Sequence, residues 1–193
     1  MPSSSPSLDP AVSPHQQPLR QTRDWITRIV VGLDLCPFAR RELDAGRVRY
    51  RAVDGGDFAL ALAALDEEVR LLDEDETIST TVIVLVDRTL DFDTYLDWLE
   101  LAERWLAMAG YEGIYQIASF HPDYRFEGSP ASDPAHLTNR APWPLFHLLR
   151  EQQLEQALAC FPHPERIPER NVALLRELGE QGVARLLTDR GCD

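Results

Sequence analysis

His121, Asp123, His147 and Glu151 place two imidazoles and two carboxylates in one stretch of the chain. That set suits a divalent metal (zinc, manganese or iron), and it equally suits proton transfer. His121 belongs to IASFHPDYRFEG, where an apolar segment runs straight into His121, Pro122, Asp123, Tyr124, Arg125, Phe126 and Glu127. His147 and Glu151 belong to APWPLFHLLREQQLEQALA. Read as a helix, this segment sets His147 and Arg150 on the arc continued by Leu154, Ala157 and Leu158, with Glu151 at its rim one turn from His147. Polar groups on an inward arc must be paired or face a cavity, because burying them alone is costly. The plainer alternative is a His147–Glu151 hydrogen bond and a His-Pro-Asp run that only makes a turn.

Cys36 is a second candidate. If Pro37 opens a helix in PFARRELDAG, Cys36 is its N-cap, where the helix dipole and free amides stabilise a thiolate. Arg40 and Arg41 add positive charge nearby, and His121 or His147 would make Cys36 a nucleophile or redox thiol. The alternative is an inert core cysteine, the reading given to Cys160 and Cys192, which lack such a setting. Arg140 and Arg150 are the third element. Asn139 and Arg140 precede a Pro-Trp-Pro helix start whose amides favour anions, and a guanidinium there can grip a carboxylate or phosphate. Against this stands an internal salt bridge, such as Arg150 with Asp123 or Asp133. Gly55-Gly56 reads as a turn capped by Asp57 rather than a phosphate loop, and Trp98 and Trp105 read as core packing.

The elements that must position these groups follow from periodicity. A helix covers Trp25, Ile26, Ile29, Val30 and Leu33, with Gly32 near its stop. A short helix follows Cys36 and ends at Gly46. Strands are expected at Val48–Val53 (an edge, wet on its Arg49 and Arg51 face), Thr81–Val86 (central) and Ile114–Phe120. Helices follow Asp57 and Asp93 or Thr94, the second stopping near Gly110. A long loop then leads to the helix from Pro142, and helical segments around Val172–Leu187 close the chain. The fold class is α/β: a small, mainly parallel sheet of about three strands with helices packed on it, in a single layered domain. Residues 1–20 read as a Pro/Ser-rich disordered leader and 21–193 as the domain. Ligands in such sheets gather beyond the carboxyl ends of the strands, where the loop after Phe120 departs.

The net charge of −13 argues against a nucleic-acid partner, and no apolar run is long enough to span a membrane. Three cysteines without a CxxC pair fit a reducing compartment, hence the cytoplasm. The oligomeric state is left open.

The segments LCPFA, ASFHPDYRFEG and TNRAPWPLFHLLRE resemble the bacterial domain-of-unknown-function family numbered 1415. The likeness spans nearly all of the chain after the leader. Cys36, His121, Tyr124, Asn139, Arg140, His147, Arg150 and Glu151 stand where that family's motif residues stand. Ala141 and Trp143 replace a Ser and a Tyr of the pattern, and His136 falls in a variable stretch and is left off the site. The resemblance implies a bacterial cytoplasmic protein and supplies no activity. The expected function is a small enzyme acting on a small anionic molecule. His121, His147, Glu151 and Cys36 would do the chemistry, with Tyr124, Asn139, Arg140 and Arg150 binding the substrate. The alternatives are a non-catalytic metabolite- or metal-binding module and a purely structural polar network.

Overall fold

The computed structural model describes residues 15–188. Most of the expected leader (residues 1–14) and Cys192 lie outside the described residues. Four strands form one sheet: β1 (Val48–Asp54), β2 (Thr80–Val86), β3 (Tyr115–Phe120) and β4 (Leu145–Arg150). Their order is β1-β2-β4-β3. β1 and β2 pair parallel, whereas β4 runs antiparallel to both of its neighbours, β2 and β3. β2 is interior and β1 an edge, as the sequence implies. The expectation of about three mainly parallel strands is corrected to four, with one parallel pair and two antiparallel ones.

The added strand is the segment read above as the start of a helix. LFHLLR is an apolar run with one histidine, and such a run satisfies a strand covered on both faces as well as a helix. Pro144 tips the balance locally, because it disfavours a helical Trp143 before it. Leu145, His147 and Leu149 therefore point to one side of the sheet, and Phe146 and Leu148 to the other. Helix α5 (Glu151–Ala159) begins only after the strand, so His147 and Glu151 do not share a helix.

Helices cover both faces. On one, α3 (Phe58–Glu74) and α4 (Phe92–Met108) pack Leu65, Val69 and Leu106 against Ile83, Leu85, Phe146 and Leu148. On the other, α1 (Gln16–Trp25) continues into a π-helical turn, Ile26–Val31, and shares a core with Val82, Val84 and Leu145. α1 begins at Gln16, so the ordered chain reaches into the segment (residues 1–20) expected to be a disordered leader. A Cβ at Gly32 would run into the carbonyl oxygen of Arg28, so only glycine fits where the π turn closes. The short α2 (Ala39–Asp44) ends at Gly46, which has φ +68°. The long α6 (Ile167–Thr188) closes this second layer, contributing Leu175 and Val183. α4 is capped by Asp91, which accepts from the Thr94 N–H, rather than by Asp93 or Thr94. The Arg49 and Arg51 face of β1 is covered by α3, which pairs Glu68 with Arg49 at 2.6 Å and Glu67 with Arg51 at 2.5 Å.

β4 is tied down at both ends. The Tyr95 hydroxyl donates to the Leu145 carbonyl at 2.8 Å and accepts from the Phe120 N–H at 3.0 Å, bridging β4 and β3. At the far end, the Arg150 guanidinium donates to the carbonyls of Leu72, Asp75 and Ile78, and to the Tyr115 hydroxyl. Leu72 and Asp75 stand where α3 ends, so this arginine satisfies carbonyls that the helix cannot. Arg150→Met is expected to cost about 2–3 kcal/mol in urea unfolding, and Arg150→Lys to recover little of it because a point charge cannot fork to several carbonyls. A loss below about 0.5 kcal/mol for the Met variant would show that these bonds carry little net stability.

Candidate functional site

The long loop after β3 is held by side chains that sequence reading assigned to chemistry. His121 is 1% exposed and uses both ring nitrogens: Nδ1 accepts the Asp123 N–H at 3.0 Å, and Nε2–H donates to the Leu90 carbonyl at 3.0 Å. Its ring packs on Phe92 and Tyr95. Burial lowers its pKa, against smaller opposing effects from the Leu90 bond and from Asp123 and Asp91. Asn139 donates to the Ser119 carbonyl and, through its own carbonyl, accepts the His121 N–H. Arg140 donates to the Tyr124 carbonyl and pairs with Glu180 of α6 at 3.2 Å. Tyr124 packs its ring between Phe92 and Phe126.

His136, left off the site above, is fully buried and works in the same way. Nδ1 accepts the Phe126 N–H, and Nε2–H donates to the Pro130 carbonyl at 2.8 Å. Its role shows only in three dimensions, since no spacing in the sequence links it to Phe126. Asp133 completes the clamp by pairing with Arg176 of α6 at 2.6 Å. That guanidinium and the Ala135 N–H hold the Asp133 carboxyl far below the usual carboxylate range.

His147 belongs to a different place. It sits opposite Val82 on β2 and Ala118 on β3, three residues short of His121 along β3. Its face of the sheet is the α1 side, whereas His121 packs with Tyr95 on the α4 side. The structure therefore does not bring His121 and His147 together. Asp123 stays with His121, and Glu151 lies about 13 Å along the chain from His147, beside Tyr115 and Gln116. Among the described residues, no group of three or more His, Cys, Asp and Glu side chains is arranged to hold a metal ion. Arg140 and Arg150 are both engaged, as described, and neither lines the cavity next to His147.

That cavity has a volume of about 110 Å³ and lies between the π turn, α2 and the sheet. Trp25, Ile26, Val30, Val82, Phe120 and Leu145 give it apolar walls. Its polar groups are the Cys36 thiol, the His147 ring, Thr80 and Glu42. The loop carrying Cys36 is pinned by α6: Asn171 donates to the Leu35 carbonyl at 2.7 Å and Arg170 to the Asp34 carbonyl at 2.8 Å. Glu42 is 4% exposed and bonded to Arg47. Burial raises its pKa, but hydrogen bonds from Arg47 and Ser79 and the arginine charges outweigh that and leave it lowered.

Burial alone draws the His147 pKa down to about 4, so the ring is neutral at physiological pH. Burial also pushes the Cys36 thiol up, outweighing the Phe38 and Ala39 N–H groups that pull it down. The expectation of a stabilised thiolate is thereby corrected. The helix start is present, but Phe38 rather than Cys36 is its cap, and Arg40 turns away to donate to the Val31 carbonyl. Thr80 and Phe120 were not singled out in the sequence. The only available sign was their place at the ends of apolar runs.

Residues 17–185 match the family described as protein of unknown function DUF1415, and the chain belongs to that family. No curated protein and no solved structure matches the chain. Among the described residues, no helix is long and apolar enough to cross a membrane.

Two measurements check this geometry. Near pH 7, iodoacetamide should label exposed Cys160 well before Cys36. Faster labelling of Cys36, followed by mass spectrometry, would restore the thiolate. The second concerns pH. His147 in the unfolded chain takes up a proton as pH falls through 6.5, while the folded chain resists protonation to about 4. Its contribution to stability is thus complete above 6.5 and lost progressively towards 4. His147→Phe should flatten the decline in stability between about pH 6.5 and 5. An unchanged slope would place the titration elsewhere.

Proposed function

We propose that this chain is a small-molecule-binding protein whose ligand occupies the cavity between the π turn, α2 and the sheet. One observation carries the reading: an interior strand, where side chains normally pack without gaps, instead presents His147 to a cavity of about 110 Å³ shared with Cys36. π-helical turns also recur at functional sites, and Ile26 and Val30 of this one form part of the wall.

A neutral imidazole and a neutral thiol favour recognition over proton or acyl transfer. Each would have to ionise against its burial to act as base or nucleophile. An enzyme acting on an anion has less support, because Arg140 and Arg150 are engaged elsewhere. The second reading, a structural network, is favoured by the loop side chains themselves. His121, His136, Asn139 and Arg140 bond almost wholly to backbone, which makes the HPDY and NR patterns a lock on the loop. We assign the loop motif to that role and the cavity to binding, in a protein of the cytoplasm.

Compact neutral ring compounds should raise the melting temperature of the wild-type chain. Ala118→Leu, which extends a side chain into the cavity, should abolish that rise while the variant stays folded, at a cost of no more than about 3 kcal/mol. A panel of such compounds that leaves the wild type unshifted, or shifts Ala118→Leu equally, would refute the cavity as the binding site.

A further inference from the structure

The tautomer of His147 follows from its neighbour. The Thr80 hydroxyl lies 2.6 Å from the Leu148 carbonyl oxygen, and two oxygens that close need a proton between them. Thr80 has one proton, so it donates to Leu148 and must accept from His147 Nε2, 2.8 Å away. Nε2 therefore carries the hydrogen, and Nδ1 holds a bare lone pair. No hydrogen bond to Nδ1 is made among the described residues, and Nδ1 is not among the buried polar atoms closed off from space. The space beside this mid-strand ring is the cavity.

Volume and charge narrow the occupant. About 110 Å³ is close to the volume, on the order of 150 Å³, of an apolar protein cavity that takes up a single benzene ring. Trp25, Phe38 and Phe120 line it, with Trp25 and Phe120 already edge to face at 5.3 Å between centroids. Such walls offer an aromatic guest the offset or edge contacts that rings prefer. Glu42 is the one charged residue in the lining, and it is negative. A carboxylate or phosphate would lose its water with no cation to meet it.

Resting on the cavity reading above, we infer that the ligand is a compact, neutral aromatic ring bearing one hydrogen-bond donor, a phenol by chemical class, whose hydroxyl donates to Nδ1 of His147. The ring fills the apolar space and the hydroxyl exchanges water for an imidazole acceptor. Cys36 borders the same space as a weakly polar, polarizable wall. A purely apolar ring of equal size would leave Nδ1 unsatisfied.

Phenol, toluene and benzoate are the probes, titrated into the full chain near pH 7 and followed by NMR. In an apolar cavity without an acceptor toluene wins, because phenol gives up its hydrogen bond to water. The wild type should instead bind phenol about fivefold more tightly than toluene, with benzoate binding least. His147→Phe, which leaves Thr80 its bond to Leu148, should reverse the order of phenol and toluene. Equal affinities, tighter toluene or benzoate binding to the wild type, or a phenol preference that survives in His147→Phe would overturn the donor inference and leave the cavity reading standing. Failure of all three probes to bind would overturn both. Should His147→Phe not fold, the wild-type imidazole nitrogens decide the matter: the Nδ1 resonance should move upfield with phenol and stay in place with toluene. No such movement overturns the inference.

Discussion

The insertion of Leu145–Arg150 antiparallel between β2 and β3 is the constraint from which the other features follow. An interior strand has to satisfy its backbone on both sides and its side chains on both faces, and its alternation permits no compromise. Phe146 and Leu148 complete the core under α3 and α4, so Leu145, His147 and Leu149 must face α1 and the π turn. A one-residue slip would put Phe146 beside Trp25 and send His147 into the core against Tyr95. Arg150 and Tyr95 hold the register from opposite ends, the one through the carbonyls where α3 ends and the other through Leu145.

With the register fixed, the polar residues divide into two populations. Those of the 121–144 loop bond mainly to backbone. Two imidazoles, His121 and His136, each accept one N–H and donate to one carbonyl. For His121 that arrangement requires a neutral ring, since a protonated Nδ1 would confront the Asp123 N–H. A long loop with little regular structure is costly to order, and these buried bonds, with the α6 ion pairs to Asp133 and Arg140, supply local order. His147 belongs to the other population. Its Nε2 is committed to Thr80, and its remaining nitrogen makes no hydrogen bond among the described residues. Uncommitted polar capacity at the wall of a cavity is a better sign of binding than a dense cluster of polar residues.

Much of the fold was legible because its signals are local. TVIVLV, being β-branched throughout its middle, read as a central strand, the alternation in VRYRAV marked an edge, and Asp57 announced α3. Leu145–Arg150 was not legible, because a strand buried on both faces loses the period-2 pattern and borrows the look of the helix that follows it. The error spread: placing His147 on a helix joined it to Glu151 and aimed it at His121. The loop pattern drew attention to the right segments, but spacing cannot distinguish an imidazole that binds a ligand from one that bonds backbone. Partners decide that, and they lie at Leu90, Pro130 and Thr80, far from the motif in sequence for His121 and His147. The Cys36 setting was half legible. A helix start does follow it, but burial, which no spacing reveals, governs its thiol.

Binding beside His147 requires a ligand-sized apolar space there in the native protein. Diffraction from crystals held under xenon would reveal that space, because the gas enters apolar cavities without needing any particular polar contact. A single strong xenon site is expected, bounded by Trp25, Val82, Phe120 and Leu145, with the His147 ring at its wall. A structure in which those side chains close on one another, with no xenon between them, would contradict it.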